Sequence, residues 1–376
     1  MIVQGNRDLL NGKLAVILNS SQSKMPCGND PWVATTSTAV ADLIESGYTI
    51  ITSIGLITWE LAVYLVARND GNQIVVSPHC DNENGRIIFQ STVDEFGLDD
   101  DRTAMVFVAP ETSLRKPKAT WLKRDKAAIT LANLLVPVSI RPGGRLENLL
   151  KTPGDERGIL SKYQIEYKKP IVRPPRYGDK PISFNIENWN YITHWTRTQH
   201  GPWLGQTKRD FYRQLIKSEN EYPNSAFDAL INIAEEGIIR ASSKKIRDSL
   251  EVVGFTESNP REVLSQMRWL PKRVSWNFEP YGIAIRKRAA SGIGIRPVIY
   301  GYPEDYMRLP NPDKPYFQSR GQRDVDWSVE REWRHIGDLD LSKIPPEDLT
   351  FLIWRKEEAD HLRKITASKV LVLSAD

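Results

Sequence analysis

The chain has 376 residues, a net charge of +4, and 40% hydrophobic against 26% charged residues; these are ordinary globular values that exclude disordered and collagen-like classes. A chain of that length exceeds what one core usually organises, so two domains are expected. Two cysteines, Cys27 and Cys80, exclude a disulfide framework and fit a reducing compartment.

The opening residues lack a basic region followed by an apolar core, so no secretory signal is expected. The longest apolar stretch, 48–66, is broken by Ser, Thr, Gly and Glu. No membrane span and a cytoplasmic location follow as expectations. Residues 1–150 carry 14 Lys/Arg against 16 Asp/Glu, and the remaining residues 37 against 31, so the basic surplus lies in the second part. Such a surplus favours a polyanion as partner, or is simply a mixed-charge solvated surface.

Leu14–Leu18 is a continuous apolar run of strand length, followed by the polar loop 19–31. From Ala34 to Ser46, the residues Ala39, Val40, Leu43 and Ile44 recur at helical spacing, and Gly47 follows as a stop. Tyr48–Ser53 reads as a second strand and Thr58–Ala67 as a helix capped by Thr58. Ile74–Ser77 and Ala104–Val108 read as short strands. Lys123–Leu134 then reads as a helix, and Val136–Ile140 as a strand before Pro142-Gly143-Gly144. Strands alternating with helices predict an α/β domain, a Rossmann-like doubly wound parallel sheet over residues 1–150. Ligands of such sheets bind beyond the carboxyl ends of the strands, where Ser20, Gly55, Gly143 and Gly144 stand.

Residues 151–181 break the pattern with five prolines, eight Lys/Arg and four Asp/Glu, as a basic Pro-rich linker or wrapping arm would. Residues 182–376 read as an α+β domain. Helices are predicted at Lys208–Lys217 and Ser225–Glu235, and strands at Val252–Phe255, Gly282–Ile285 and Pro297–Tyr300.

The order Ile17-Leu-Asn-Ser-Ser21, Ser46-Gly-Tyr-Thr-Ile-Ile-Thr-Ser-Ile-Gly55, Arg124-Asp-Lys126 and Arg141-Pro-Gly-Gly-Arg145 resembles the Rossmann-like superfamily of DNA-processing protein A and the lonely-guy enzymes. The resemblance implies nucleotide binding by Ser20, Gly55, Arg124, Lys126, Gly143 and Gly144. The glycines would offer backbone N–H groups to a phosphate, and Arg124 or Lys126 would neutralise it; equally, the glycines close a turn. Gly143-Gly-Arg-Leu-Glu147 lacks the third Gly and the Thr of the hydrolysing members, so the first domain is expected to bind rather than catalyse.

In the second half, Tyr191-Ile-Thr-His-Trp-Thr-Arg197, Val252-Val-Gly-Phe-Thr-Glu257 and Trp327-Ser-Val-Glu-Arg-Glu-Trp-Arg334 resemble DarT-type DNA ADP-ribosyltransferases and abortive-infection defence proteins. That resemblance implies an ADP-ribosyltransferase-like α+β domain using NAD. His194 and Thr196 would hold the nicotinamide ribose, and Glu330 or Glu332 would polarise the acceptor. A neutral imidazole suits ribose hydroxyls or acid–base work, and a carboxyl flanked by Trp327 and Trp333 suits a general acid or base. The competing readings are a satisfied structural His194 and a Glu330–Arg334 helical ion pair.

Seven of the eleven tryptophans lie between 189 and 333, interleaved with Arg197, Lys208, Arg209, Arg268, Lys272 and Arg273. Trp195, Arg197, Trp203, Trp327, Trp333 and Arg334 are therefore candidates for stacking unpaired bases and holding phosphates, with core packing as the alternative. The five histidines and two cysteines show no metal-ligand spacing, so no metal is expected. Cys27 and Cys80, the latter beside His79, are weak candidates for a nucleophile.

Together these readings predict an enzyme that modifies a base of single-stranded or flipped DNA in a bacterial defence or modification system, partnered by other proteins of the same cluster. ADP-ribosyl transfer from NAD leads. Hydration of the nitrile of 7-cyano-7-deazaguanine in DNA, or a non-catalytic nucleotide sensor, are the alternatives.

Overall fold

The computed structural model describes residues 2–77, 84–108, 117–151, 157–170, 177, 188–244, 246–321 and 326–374. The chain divides into two compact units: Met1–Val172 with Gln206–Pro223, and Arg173–Gly205 with Asn224–Asp376.

The first unit is built on strands β1 (Ile2–Gly5), β2 (Leu14–Asn19), β3 (Thr49–Ser53), β4 (Gln73–Ser77), β5 (Thr103–Phe107), β6 (Leu134–Ser139) and β7 (Gly158–Ile159). Their order is β1-β5-β4-β3-β2-β6-β7. All neighbours are parallel except β1, which runs antiparallel to β5. Helices α1 (Pro31–Glu45), α2 (Ile57–Arg68), α3 (Gly85–Phe96), α4 (Pro117–Leu131) and α5 (Arg145–Leu150) connect them.

Side chains of β2 alternate between two cores. Ala15 and Ile17 pack with residues of α1, α2 and α3, whereas Leu14, Val16 and Leu18 pack with Ala128 and Ile129 of α4 and with Ala132 just after it. Burial on both faces is why the strand reads as an unbroken apolar run. The expected doubly wound parallel architecture is present. Its helix ends differ from expectation: α1 starts at Pro31, and the N-cap of α2 is Leu56 rather than Thr58.

Domain boundaries also depart from the expected 150/182 division. Described residues after 156 complete the first unit: β7 pairs with β6, and Tyr163 is buried with its hydroxyl 2.5 Å from Asp42 Oδ2. Much of the predicted linker lies outside the described residues. Helix α6 (Lys208–Lys217), assigned from sequence to the second half, belongs to the first unit. Thr207 caps it, and Phe211, Tyr212 and Leu215 enter the core. The Tyr212 ring stacks against Tyr64 and Phe96, each at 6.1 Å, while its hydroxyl donates to Glu60 Oε2 at 3.0 Å. Three such burials contribute roughly 1.5–3 kcal/mol each, which fixes the segment there.

The second unit begins with β8 (Tyr191–Trp195) and α7 (Ala226–Glu236), followed by β9 (Ile238–Ile239), β10 (Val252–Thr256) and α8 (Pro260–Ser265). The hairpin β11 (Trp269–Leu270) and β12 (Ser275–Trp276) leads to β13 (Gly282–Arg286), α9 (Lys287–Gly292), β14 (Arg296–Pro297), β15 (Ile299–Gly301) and β16 (Phe317–Ser319). The chain ends with β17 (Glu332–Ile336), β18 (Leu339–Asp340), β19 (Leu349–Ile353), α10 (Ala359–Ile365) and β20 (Lys369–Val372). The main sheet has the order β14-β17-β10-β8-β13-β19-β20. Its pairs are antiparallel apart from β19 with β20. The unit is mixed α/β, and its sheet and helices alone do not identify an ADP-ribosyltransferase.

Candidate functional site

Strands β3, β4 and β5 extend the first sheet to one side of β2, while β6 lies on the other. The direction of winding therefore reverses between β2 and β6, the place where sheets of this kind form their ligand crevice, at the carboxyl ends of the two strands. Ser20 and Gly143 stand in the loops that leave these two strands. The Ser20 N–H donates to Ser139 O at 2.8 Å, and its hydroxyl accepts from the Arg141 N–H at 2.8 Å. Gln22 Nε2 donates to Ser139 Oγ at 3.0 Å. These bonds tie the two loops together. Beneath them, buried Asn19 donates through Nδ2 to Thr36 Oγ1 at 3.0 Å, and its Oδ1 has no partner among the described residues.

Gly143 has φ +65°, and no atom lies within 4 Å of where its Cβ would stand. Its N–H is occupied, donating to Glu147 Oε2 at 2.7 Å, while Lys151 Nζ lies 2.7 Å from Glu147 Oε1. The Lys151 bond first, then the Gly143 bond, holds the Glu147 carboxyl below its ordinary value. Gly144 is the N-cap of α5, with its N–H donating to Arg141 O at 3.0 Å. Exposed Arg141 and Arg145 flank the loop. Gly55, after β3, also faces open space, and its N–H donates to Glu60 Oε1.

Arg124 does not serve as the expected phosphate ligand. It is buried, bonded through Nε and Nη2 to Asp125 Oδ1 at 3.0 and 2.8 Å, and lies 5.4 Å over the Trp59 ring. Desolvating a guanidinium requires such partners, and they leave it structural. Lys126 is exposed on the same helix.

In the second unit, register separates the predicted catalytic residues. Thr350, Ala284, Thr193, Thr256 and Glu332 pair in one row across β19, β13, β8, β10 and β17. Paired residues share a face, and neighbours along a strand alternate. Glu332 therefore shares the face of Thr193, and His194 occupies the other, paired with Ile283 and edge-on to Phe255 at 5.8 Å. The expected convergence of His194 with Glu332 does not occur.

His194 Nδ1–H donates to Gly254 O at 2.9 Å, and burial holds the imidazole below its usual range. Thr196 donates to Ala226 O at 2.7 Å and is buried. Glu332 accepts from Arg334 Nε and Nη2, and its N–H donates to the Tyr300 hydroxyl at 2.9 Å. Residues 332–336 form a strand, so Arg334 pairs two residues away along one face rather than with Glu330 along a helix. Glu330 is exposed. Its carbonyl accepts from Thr256 Oγ1 at 2.6 Å, and its charge acts on Arg197.

The predicted stacking platform is divided as well. Trp195 and Arg334 are buried, and Arg334 also donates to Pro315 O and Phe317 O. Half-buried Trp333 donates through Nε1 to Glu257 Oε2, and Trp203 is half-buried. Trp327 is exposed, and exposed Arg197 lies 5.5 Å over the Phe278 ring. Lys208 and Arg209 belong to the first unit.

Glu279 was not anticipated. Buried between β12 and β13, it accepts from the Thr198 N–H and hydroxyl, just after β8, and from the Tyr177 hydroxyl. A lone Glu before Pro gives no periodic signal of such a role. Cys27 has its thiol pushed up, first by burial and then by Asp30, which opposes a nucleophilic role. His79 and Cys80 lie outside the described residues. Among the described residues, no group of three or more His, Cys, Asp or Glu gathers as a metal set, and no helix is long and apolar enough to cross a membrane.

No family model matches the sequence, and no curated protein matches it. Among solved structures, DNA processing protein A from Helicobacter pylori, described for its single-stranded DNA binding mode, is similar at 17% identity. The match covers 36% of this chain and 59% of that one, with a TM-score of 0.26. DNA processing protein A from Streptococcus pneumoniae is similar at 16% identity over 36% of this chain and 44% of that one, with a TM-score of 0.27. This chain thus spans about half the length of those structures. Likeness at that level carries no function across.

Proposed function

We propose that the first unit binds a nucleotide in the crevice between β2 and β6, and that the nucleotide belongs to single-stranded DNA. The observation that supports this most is the reversal of strand order at β2 and β6, with the open Gly143 position beside it. Ligands of wound parallel sheets enter at such a reversal. Ser20 would hold the two loops in register, and Arg141 and Arg145 would meet phosphates as exposed cations. Glu147, held ionised by Lys151 and the Gly143 N–H, suits a sugar hydroxyl better than a phosphate. Single-stranded DNA is the first ligand to test, because the loop motifs resemble those of DNA-processing protein A.

Fluorescence anisotropy with a labelled single-stranded oligonucleotide checks this reading. Arg141→Ala with Arg145→Ala is expected to weaken binding about tenfold and to lower the salt dependence, as loss of phosphate contacts does. A folded parent protein that binds neither the strand nor free nucleotides would refute it.

Base modification by the second unit is a second reading, favoured by one observation. Thr193 Oγ1 is fully buried with no partner among the described residues, in the row that holds Thr256 and Glu332. The residues expected to hold NAD do not fit that group, since His194 faces the apolar side and Thr196 is bonded to backbone. Labelled NAD or nitrile-bearing DNA, incubated with the protein and followed by nucleoside mass spectrometry, tests both chemistries. Unchanged bases leave the sensor reading.

A further inference from the structure

Helix α6 carries a cationic row that the crevice does not use. Arg209, Arg213 and Lys217 stand at i, i+4 and i+8, so they share one helix face. At 1.5 Å per residue the row extends over about 12 Å. Phe211, Tyr212 and Leu215 enter the core, which fixes the rotation of the helix and leaves all three cations exposed. The row borders a cavity of about 400 Å³ that Arg68 also lines. Tyr64 and Phe96 form its floor, and Asp70 is the one carboxylate among its lining residues.

The last turns of α2 and α3 reach this cavity, and each helix leads into the start of the next strand. The cavity therefore lies at the amino ends of β4 and β5, the opposite end of the sheet from the crevice.

Helix C-termini offer a simpler use for cations, since each carries about half a negative charge. Arg209 fits that use, because a Cβ on Gly97, the C-cap of α3, would lie 2.9 Å from its Cδ. Arg68 likewise ends its own helix. Lys217 stands in the last turn of α6 and has the same explanation, whereas Arg213, one turn earlier, lies beyond it. Arg213 pairs with Asp210 at 3.2 Å, both half-exposed, whereas Arg68, Arg209 and Lys217 make no ion pair among the described residues. Four cations against Asp70 and Asp210 leave two positive side-chain charges, which the three helix ends reduce.

We infer that the α6 row is a second anion-binding surface that takes consecutive phosphates of a single nucleic-acid strand. A row of that length exceeds one phosphate group and matches a run of them. The inference rests on nucleic-acid binding by the first unit but uses none of the crevice residues.

Arg209→Gln with Lys217→Gln tests it, with melting temperature as the check on folding. Binding of labelled oligothymidylate is expected to weaken about tenfold, and the log–log salt slope to shrink by about 1.4, as loss of two single-strand phosphate contacts requires. An unchanged Kd and slope, in a protein whose Arg141→Ala/Arg145→Ala variant does lose affinity, overturns the row and leaves the crevice standing. Binding of tripolyphosphate but not of the strand overturns the strand assignment. A parent protein that binds neither removes both readings.

Discussion

His194 illustrates how much a neighbour's chemistry decides for a titratable side chain. Its ring lies edge-on to Phe255 and donates to the Gly254 carbonyl, and desolvation outweighs that bond in holding the imidazole below its ordinary value. A base depressed in the folded state stays neutral where the unfolded chain has already taken a proton. The stability it contributes is present above the unfolded pKa of about 6.5 and is lost as pH falls through that value. Urea unfolding is expected to show a lower midpoint at pH 5.5 than at pH 7.5, with part of that difference absent in His194→Gln. Equal slopes for parent and variant would show that the imidazole titrates freely. The same row logic explains Glu332: its oxygens already serve Arg334, so it is occupied as a structural partner.

At the scale of elements, Gly28 decides where α6 sits. Its N–H donates to Ser218 O at 2.9 Å, and a Cβ at Gly28 would stand 2.2 Å from that oxygen and 2.5 Å from Ile216 O. No side chain fits between these backbones. Gly28→Ala is expected to cost roughly 1–3 kcal/mol by forced displacement, and to raise amide exchange in 206–223 ahead of the parallel strands. Exchange that rises evenly across the first unit would contradict this local account.

The strands β2 to β6 were legible because burial on both faces makes each a short apolar run. Edge strands β1 and β7 were not, since they are largely exposed and carry no pattern. Helix α3 went unread although Phe89, Val93 and Phe96 keep helical spacing. Ser20, Gly143 and Gly144 were legible as loop residues at strand ends, and the strand order brings Ser20 and Gly143 to one crevice. Arg124 misled because its charge is visible in sequence and its burial is not. The relation of His194 to Glu332 depends on register between β8, β10 and β17, and register across strands far apart in sequence leaves no local trace.

At the scale of the molecule, neither unit is one continuous stretch of chain, because Gln206–Pro223 returns to the first unit. A fragment ending at Val172 lacks the rings that cover Tyr64 and Phe96. It is expected to bind a hydrophobic dye and to aggregate, whereas a fragment ending at Pro223 regains the covering helix and does neither. Identical dye binding by the two fragments would show that α6 is dispensable.

That discontinuity also governs the order of events during synthesis. Val172 leaves the ribosome before Pro223 by about fifty residues, a delay on the order of seconds at ordinary elongation rates. Throughout that interval the nascent domain presents an aromatic patch with nothing to seal it. Chaperone engagement is thus expected to concentrate in this window and to cease once the sealing helix emerges.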